Sequence, residues 1–335
     1  MKDVARLAGV SNATVSAVIN GTATVSPDRS LRVRQAIEAI DYHPDQVARS
    51  LKVGRTLVIG MVIPDVTNTF FPAVIRGVED AASIEGYSVI LCNSNEDASQ
   101  EQCHLNTLLS RRVDGVLLAY VDNSLSYDRL LRGRVPIVFF DRIPQVVHRG
   151  AVATDNAAAC NMATQHLIKL GHSEIAFIAG NLRLSPHVDR LAGFRAAMQK
   201  NDLPIRDRFL KLGDLSSETG YRLGLELLHQ DDPPTAVISS NSKMLLGLLR
   251  AIREAQFSCP ERVSVIGFDD HVWSEFFNPP LTTVAQPCYE MGRMAFEMLL
   301  KRIGGEESET TQPGETVLLN AELHLRQSTA PPHSA

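Results

Sequence analysis

The chain has 335 residues, of which 44% are hydrophobic and 21% are charged, and its formal net charge is −5. These values exclude a disordered or fibrous chain, and the length predicts two or three domains. No apolar run reaches the roughly 18 residues that a membrane-spanning helix needs. The first residues, Met1–Arg6, have no apolar signal core behind them, so we expect a cytoplasmic protein.

Sequence signatures of catalysis are missing. G-x-G-x-x-G, G-x-x-x-x-G-K-[ST] and G-x-S-x-G do not occur, and the histidines do not cluster at the spacing of metal ligands. We therefore expect no enzymatic activity, no cofactor and no metal. Five scattered cysteines without a C-x-x-C spacing predict reduced thiols rather than a disulfide framework; they are Cys92, Cys103, Cys160, Cys259 and Cys288.

Charge and helical spacing single out the N-terminal segment. Residues 1–55 carry a net charge of +3 and the remainder −8, which favours contact between an anionic polymer and this segment only. A helix is predicted over residues 3–8, Gly9 suits a turn, and Ser11 is a good N-cap for a second helix over 12–19. These are the dimensions of a helix-turn-helix, although many small helical bundles share them.

A third helix is predicted after Ser26 and Pro27, with its packing face formed by Val33, Ala36, Ile37 and Ile40. The major groove of DNA admits one helix, whose first residues reach the base edges. The exposed face of the second helix offers Asn12, Ala13 and Ala17 to the bases, and Thr14 and Ser16 to phosphates.

From residue 56 onward, buried apolar strands alternate with amphipathic helices, and the pattern occurs twice. It predicts an α/β body with two doubly wound parallel sheets, because such strands must be covered on both faces. Ligands of such sheets bind beyond the carboxyl ends of the strands. The candidate residues there are Asp65, Asn68, Phe70, Phe71, Asp141, Arg142, Asn241 and Asp269, with Arg190 on a helix. Each can alternatively serve as a cap, a turn residue or a salt-bridge partner.

Ordered motifs along about 325 residues resemble the lac repressor family. They include residues 2–11, 13–16, 18–21 and 47–52 near the N-terminus, then Ile59-Gly60, Pro64-Asp65, Arg112–Gly115, Gly171-His172, Arg190–Phe194, Val263–Asp270 and Leu281–Pro287. The resemblance implies a three-helix headpiece over residues 1–43, a hinge helix over 44–55 and a body like a periplasmic binding protein over 56–328. The first lobe would comprise about 56–155 and 287–315, the second about 156–286 and 316–328, with a final strand near 316–325 in the second lobe and a disordered tail over 329–335.

The resemblance also implies residue roles. Leu51 of the hinge would enter the minor groove beside Arg49 and Lys52, whereas the alternative for the hinge is an inert connector. The implied DNA contacts are Ser11, Asn12, Ala13, Thr14, Ser16, Ala17, Asn20, Tyr42, Ala48, Arg49, Leu51 and Lys52. In the cleft, Phe71 matches an aromatic platform, Arg190 a ligand clamp and Asp269 a hydroxyl-binding carboxylate.

Departures from the family pattern refine these expectations. Ala17 stands where a long side chain usually reads the bases, so direct readout would depend on Asn12 and on DNA deformability. A threonine cap would fall just before Met1, so the first helix lacks its side-chain cap. Asn241-Ser242 replaces Asn-Asp and Lys243 follows, which favours a sugar acid or sugar phosphate, with a neutral sugar next. Arg142, Arg183 and His187 would lie nearby.

The expected function is transcriptional regulation by a homodimer, as a repressor of a carbohydrate-related operon that binds a near-palindromic operator and a small-molecule effector. The dimer surface would include helices near 71–84 and 243–255. No heptad-repeat helix follows Arg326, which favours a dimer over a tetramer. The alternative is a two-lobed solute-binding protein without a regulatory role, which the headpiece and the missing signal peptide disfavour.

Overall fold

The computed structural model describes residues 1–20, 23–42, 55–122, 127, 133, 135–144, 150–305 and 314–332. It divides the chain into two compact units, Met1–Leu57 and Val58–Ala335. Within the described ranges, no helix is both long and apolar enough to cross a membrane. The predicted hinge residues Ala48, Arg49, Leu51 and Lys52 lie outside the described residues.

The described part of the first unit contains three helices, namely α1 (Lys2–Ala8), α2 (Asn12–Asn20) and α3 (Pro27–Ala39). Their core consists of buried small and β-branched residues, namely Val4, Ala5, Ala8, Val15, Val33 and Ala36. Ile40 departs from the packing face predicted for α3, because it is 42% exposed, and Leu7 of α1 is 57% exposed. The helices therefore pack through a narrower apolar seam than the sequence pattern predicts.

The first lobe of the second unit is built on a six-stranded sheet of order β11-β5-β4-β3-β1-β2, and every described pairing in it is parallel. Its strands are β1 (Val58–Ile63), β2 (Ser88–Asn93), β3 (Gly115–Leu118), β4 (Ile137–Phe140), β5 (Gly150–Thr154) and β11 (Glu315–Leu319). Its helices are α4 (Phe71–Ile84), α5 (Ala98–Ser110) and α10 (Cys288–Ile303). Apolar residues of β1, β3 and β4 form the buried core beneath α5.

The second lobe repeats this plan with the order β12-β10-β9-β8-β6-β7, where only β12 among the described strands runs antiparallel to its neighbour. Its strands are β6 (Ile175–Ala179), β7 (Leu210–Leu212), β8 (Ala236–Ser239), β9 (Ser264–Phe268), β10 (Thr282–Ala285) and β12 (Glu322–His324). Its helices are α6 (Asn156–Lys169), α7 (Ser185–Lys200), α8 (Ser217–Leu228) and α9 (Ser242–Glu254). Two apolar clusters pack in this lobe, so that its helices cover both faces of the sheet.

The C-terminal segment corrects two expectations. A single strand near 316–325 was expected to join the second lobe, but β11 pairs with β5 of the first sheet and only β12 joins the second. Residues 329 and 330 are also ordered, contrary to the expected tail. The Ala330 N–H donates to Ser264 Oγ at 3.1 Å, and the Ala330 carbonyl oxygen lies 2.8 Å from His172 Nε2. Alternating polarity alone does not indicate which sheet a strand joins.

Helices α4 and α10 pack closely on the first sheet, and a glycine from each lies at their crossing. A methyl group on Gly77 would overlap the carbonyl oxygen of Tyr289, and one on Gly292 would overlap the carbonyl oxygen of Val74. Only glycine allows the two backbones to approach this closely. The last helix is thereby held on the first lobe, although it follows the strands of the second in the chain.

Candidate functional site

The N-terminal end of α2 is the exposed part of the predicted DNA-reading element. Ser11 Oγ accepts a hydrogen bond from the Thr14 N–H at 3.1 Å and so caps the helix. Ser11, Asn12 and Ala13 are exposed, while Thr14, Ser16 and Ala17 are half-buried. The first turn of α2 therefore presents short polar side chains on a helix anchored by the buried Val15.

Of the other headpiece candidates, Tyr42 is half-buried. Tyr42 packs against the headpiece core, and its N–H donates to the Ile37 carbonyl oxygen at 3.0 Å. Asn20 is the last residue of α2. Helix α1 has no side-chain cap, as the sequence predicts. Ser26 precedes α3 but does not form the cap hydrogen bond that its sequence position predicts.

Two aspartates form the floor of the cleft between the lobes of the second unit, and they occupy equivalent positions. Asp141 follows β4 and Asp269 follows β9, each directly after a phenylalanine. Both have left-handed backbones, with φ of 61° and 71°, which short polar side chains tolerate. Their N–H groups donate to the carbonyl oxygens of Val152 and Val284 at 2.9 and 3.0 Å. The repeated sheet thus directs a buried carboxylate toward the cleft from each lobe.

Arg190 of α7 is held rigidly between these carboxylates. Its Nε donates to Asn156 Oδ1 at 2.7 Å, and its Nη1 donates to the Ser240 carbonyl oxygen at 2.6 Å. Its Cζ lies 4.1 Å from the ring centroid of Phe268, so the guanidinium stacks on an aromatic face. The residue is 4% exposed, and both Asp141 and Asp269 interact with it electrostatically.

Burial raises the pKa of Asp141 to about 6, although the positive charges of Arg142 and Arg190 oppose the rise. Burial also lowers the pKa of His187 well below its ordinary value, and the nearby Arg190 and Arg142 lower it further. The imidazole one turn before Arg190 is therefore neutral at physiological pH. It does not add the positive charge expected from its position in the sequence.

The remaining cations expected near the ligand already have acidic partners. Arg142 donates to both carboxylate oxygens of Glu96, at 2.7 and 3.0 Å, and to the Tyr120 carbonyl oxygen at 2.7 Å. Lys243 forms a short ion pair with Asp65. Arg183, which is largely exposed, lies 3.5 Å from Asp122. Among the described residues, the three cations on which the expectation of an anionic effector rested are thus each close to a carboxylate.

The predicted asparagines and phenylalanines build the surroundings of the cleft. Asn241 Oδ1 accepts from the Met244 N–H at 3.0 Å and caps α9, and Asn68 Oδ1 accepts from the Phe70 N–H at 3.1 Å. Phe71 is buried and packs edge-to-face on Phe70 and Phe140. Phe70 and Asp269 line one open pocket of about 430 Å³ at the edge of the cleft.

Sequence reasoning missed several residues that hold this arrangement. Phe268 lies under Arg190, and Glu96 neutralises Arg142. Gln286 Nε2 donates to Asp269 Oδ1 at 2.6 Å, while its Oε1 accepts from Thr154 Oγ1 at 2.8 Å. The one feature of the sequence that could have indicated this arrangement is the Phe-Asp pair that occurs at the ends of both β4 and β9. Among the described residues, no group of His, Cys, Asp and Glu is arranged to hold a metal ion.

A helix-turn-helix headpiece joined to a two-lobed body with a ligand-binding fold defines a DNA-binding transcriptional regulator. The family model for lacI-family bacterial regulatory proteins matches residues 1–45, and that for periplasmic binding protein-like domains matches residues 164–329. The chain is 41% identical over 334 residues to the HTH-type transcriptional repressor PurR of Glaesserella parasuis serovar 5 (strain SH0165), covering 98% of this chain and 97% of the relative.

Two further similarities agree with this class. The chain is 39% identical over 305 residues to the ribose operon repressor of Escherichia coli (strain K12), covering 90% of this chain and 92% of that one. The lac repressor dimer bound to operator and the anti-inducer ONPF superposes with a TM-score of 0.85 at 27% identity, with 98% of each chain covered. The chain belongs to the lacI family of bacterial regulatory proteins.

Proposed function

We propose that this protein is a transcriptional repressor whose affinity for operator DNA is controlled by a neutral, sugar-like effector bound between the lobes. The observation that carries the proposal is the pair of buried aspartates, Asp141 and Asp269, flanking a rigid Arg190. Carboxylates accept hydrogen bonds from hydroxyl groups, and the stacked guanidinium donates to a hydroxyl or ring oxygen. Three carboxylates, of Asp141, Asp269 and Glu96, act together with two guanidinium groups, of Arg142 and Arg190, so an anionic ligand would meet net repulsion. The similarity to a ribose operon repressor supports a sugar.

The effector class is tested by isothermal titration calorimetry of the full chain. We expect binding to D-ribose or another neutral sugar of a panel, and none to D-gluconate, ribose 5-phosphate or purine bases. Asp141→Asn and Asp269→Asn should each weaken binding by at least about tenfold, because hydrogen bonds to charged groups contribute about 1.5–3 kcal/mol. Asp232→Asn, on an exposed loop, is the matched control. Binding restricted to the acid or the phosphate would overturn the neutral class.

On the DNA side, we propose that the headpiece (residues 1–43) reads the major groove through the exposed first turn of α2. Asn12 would contact base edges, Ala13 and Ala17 would make apolar contacts, and the hydroxyls of Thr14 and Ser16 would contact phosphates. Within the hinge (residues 44–55), Leu51 would enter the minor groove. Leu51→Ala should then weaken binding to a selected operator far more than binding to random DNA. Equal losses on both DNAs would contradict this role.

We propose that the functional unit is a homodimer. A repressor that reads a near-palindromic site needs a twofold axis. The candidate surfaces are α4 and α9, which carry apolar side chains without burying them: Ile84 at the end of α4 is 83% exposed, and Leu246 of α9 is 42% exposed. Sedimentation of the full chain tests this, and a monomer at micromolar concentration would argue against it.

A further inference from the structure

A lysine of the second lobe reaches across the mouth of the cleft to the first lobe. Lys243 lies in the first turn of α9, and its Nζ donates to Asp65 Oδ2 in a short hydrogen-bonded ion pair. The same Nζ donates to Thr67 Oγ1 at 3.0 Å. Asp65 and Thr67 both follow β1 of the first lobe. One ammonium group thus connects the segment after β1 with the helix after β8.

Hydrogen bonds from Thr67 orient the Asp65 carboxylate that accepts from Lys243. The Thr67 N–H and the Thr67 hydroxyl donate to Asp65 Oδ1 at 2.8 and 2.7 Å, which leaves Oδ2 for the ammonium. Burial alone would raise the pKa of Asp65, but the hydrogen bonds from Lys243 and Thr67 hold it below its ordinary value. Both side chains are partly withdrawn from solvent, at 33% exposure for Lys243 and 21% for Asp65.

Other contacts also join the two lobes, among them Arg183 with Asp122 at 3.5 Å and two hydrogen-bonding contacts. Thr69 Oγ1 lies 3.1 Å from His271 Nε2, and the His271 ring stacks on Trp273 with centroids 5.0 Å apart. At the start of α7, Ser185 Oγ accepts from the Ile143 N–H at 2.8 Å. Because these contacts also join the first lobe to the second, they can report a separation of the lobes.

We propose that Lys243 and Asp65 form a latch that holds the lobes closed without an effector, so that the pair must separate before an effector enters. Its regulatory consequence rests on the proposed effector site, because the latch sets how often that site is accessible. A partly exposed ion pair has a modest effect, and we expect its loss to shift the open-to-closed ratio by up to about fivefold. A shift of that size changes the population of open protein measurably.

The chain contains its own reporter, because Trp273 is its single tryptophan and stacks on the bridging His271. In effector-free protein, Lys243→Met and Asp65→Asn should increase acrylamide quenching of Trp273 fluorescence and speed hydrogen exchange at the Ile143 amide. The control is Lys211→Met, which removes a lysine paired with Glu226 inside the second lobe at 3.2 Å. Small-angle scattering of the same variants should show a larger radius of gyration for the two latch variants only.

A charge swap separates a latch from a merely structural role. The double variant Asp65→Lys with Lys243→Asp should restore quenching and amide exchange toward the wild-type values, because the ion pair re-forms with reversed polarity. Removing both charges should have no more effect than removing one, since both changes break the same contact. The proposal is overturned if Lys243→Met matches Lys211→Met in all three measurements. No ligand is used, so a failed effector screen would leave this result intact.

Discussion

Asp141 shows how one buried carboxylate sets the electrostatics of the cleft. Its pKa is raised to about 6, so the fold favours the protonated form relative to the unfolded chain. The stability associated with the neutral form is fully present below the unfolded pKa near 4 and is lost as the pH rises through about 6. Ionised Asp141 is kept at physiological pH at a cost in stability, which is common where a group serves binding.

Asp141→Asn should therefore stabilise the folded protein above pH 6. The asparagine resembles the protonated acid, and the pKa difference corresponds to about 3 kcal/mol at pH 7.5. Urea unfolding between pH 4 and pH 8 measures this gain, which should shrink toward zero near pH 4. If the variant is as stable as the wild type at every pH, or is destabilised at pH 7.5, then burial of the ionised Asp141 does not cost folding stability.

The pairing of charges is the part of the site that sequence reasoning could not supply. Lys243 and Arg142 suggested an anionic ligand, but their partners Asp65 and Glu96 lie 178 and 46 residues away. The packing of the two lobes brings Lys243 to Asp65, whereas the fold of the first lobe alone brings Arg142, after β4, to Glu96, after β2. By contrast, periodicity and resemblance together predict Asp269 at a strand end and Arg190 on a helix, while the contact of both residues with an effector stays a prediction.

At the scale of elements, the headpiece helices differ in whether a side chain caps their N-terminus. Ser11 and Ser26 both precede helices, yet only Ser11 forms a side-chain cap hydrogen bond. Ser11→Ala should destabilise the headpiece by about 1 kcal/mol, whereas Ser26→Ala should have little effect. Hydrogen exchange of the α1–α3 amides in the full chain without DNA compares the two. Equal protection in both variants would contradict the assigned cap.

The crossing of α4 and α10 gives a second prediction about elements. Gly292→Ala should destabilise the second unit by about 1–3 kcal/mol, because the added methyl group meets the Val74 backbone and overpacks the interface. Gly150→Ala is the control, since its methyl group would meet the far ends of the Arg302 and Met298 side chains, which can adjust. Thermal unfolding of both variants measures the difference, and a Gly292→Ala protein with an unchanged midpoint would refute the close approach.

Most helices and strands were predictable in order and type, because apolar strands and amphipathic helices differ in period. The division of the C-terminal segment into β11 and β12 was not, since a strand's partner depends on where the chain crosses between lobes. Ile40 was expected in the headpiece core, because apolar spacing predicts which face of a helix packs but not how far the packed contact extends. The role of Gly77 and Gly292 at the α4–α10 crossing was not predictable either, because it depends on which two helices pack together.

At the scale of the whole molecule, the two similar lobes explain how a small ligand can control a regulator. Each lobe contributes one buried aspartate, and segments that cross between the lobes connect their sheets at one end. An effector that binds both aspartates favours one relative position of the lobes over another, and only such differential binding can shift a conformational equilibrium. A tenfold change in operator affinity requires about 1.4 kcal/mol of coupling, which a few hydrogen bonds can supply.

The most direct test is an anisotropy titration of a labelled duplex, selected from a random pool by the full chain, with and without the neutral sugar that binds best in calorimetry. We predict that the selected duplex is near-palindromic and that the sugar changes its Kd by at least about tenfold. If no twofold sequence is selected, or if only a sugar acid or phosphate changes the Kd, the central claim of a repressor controlled by a neutral sugar is contradicted.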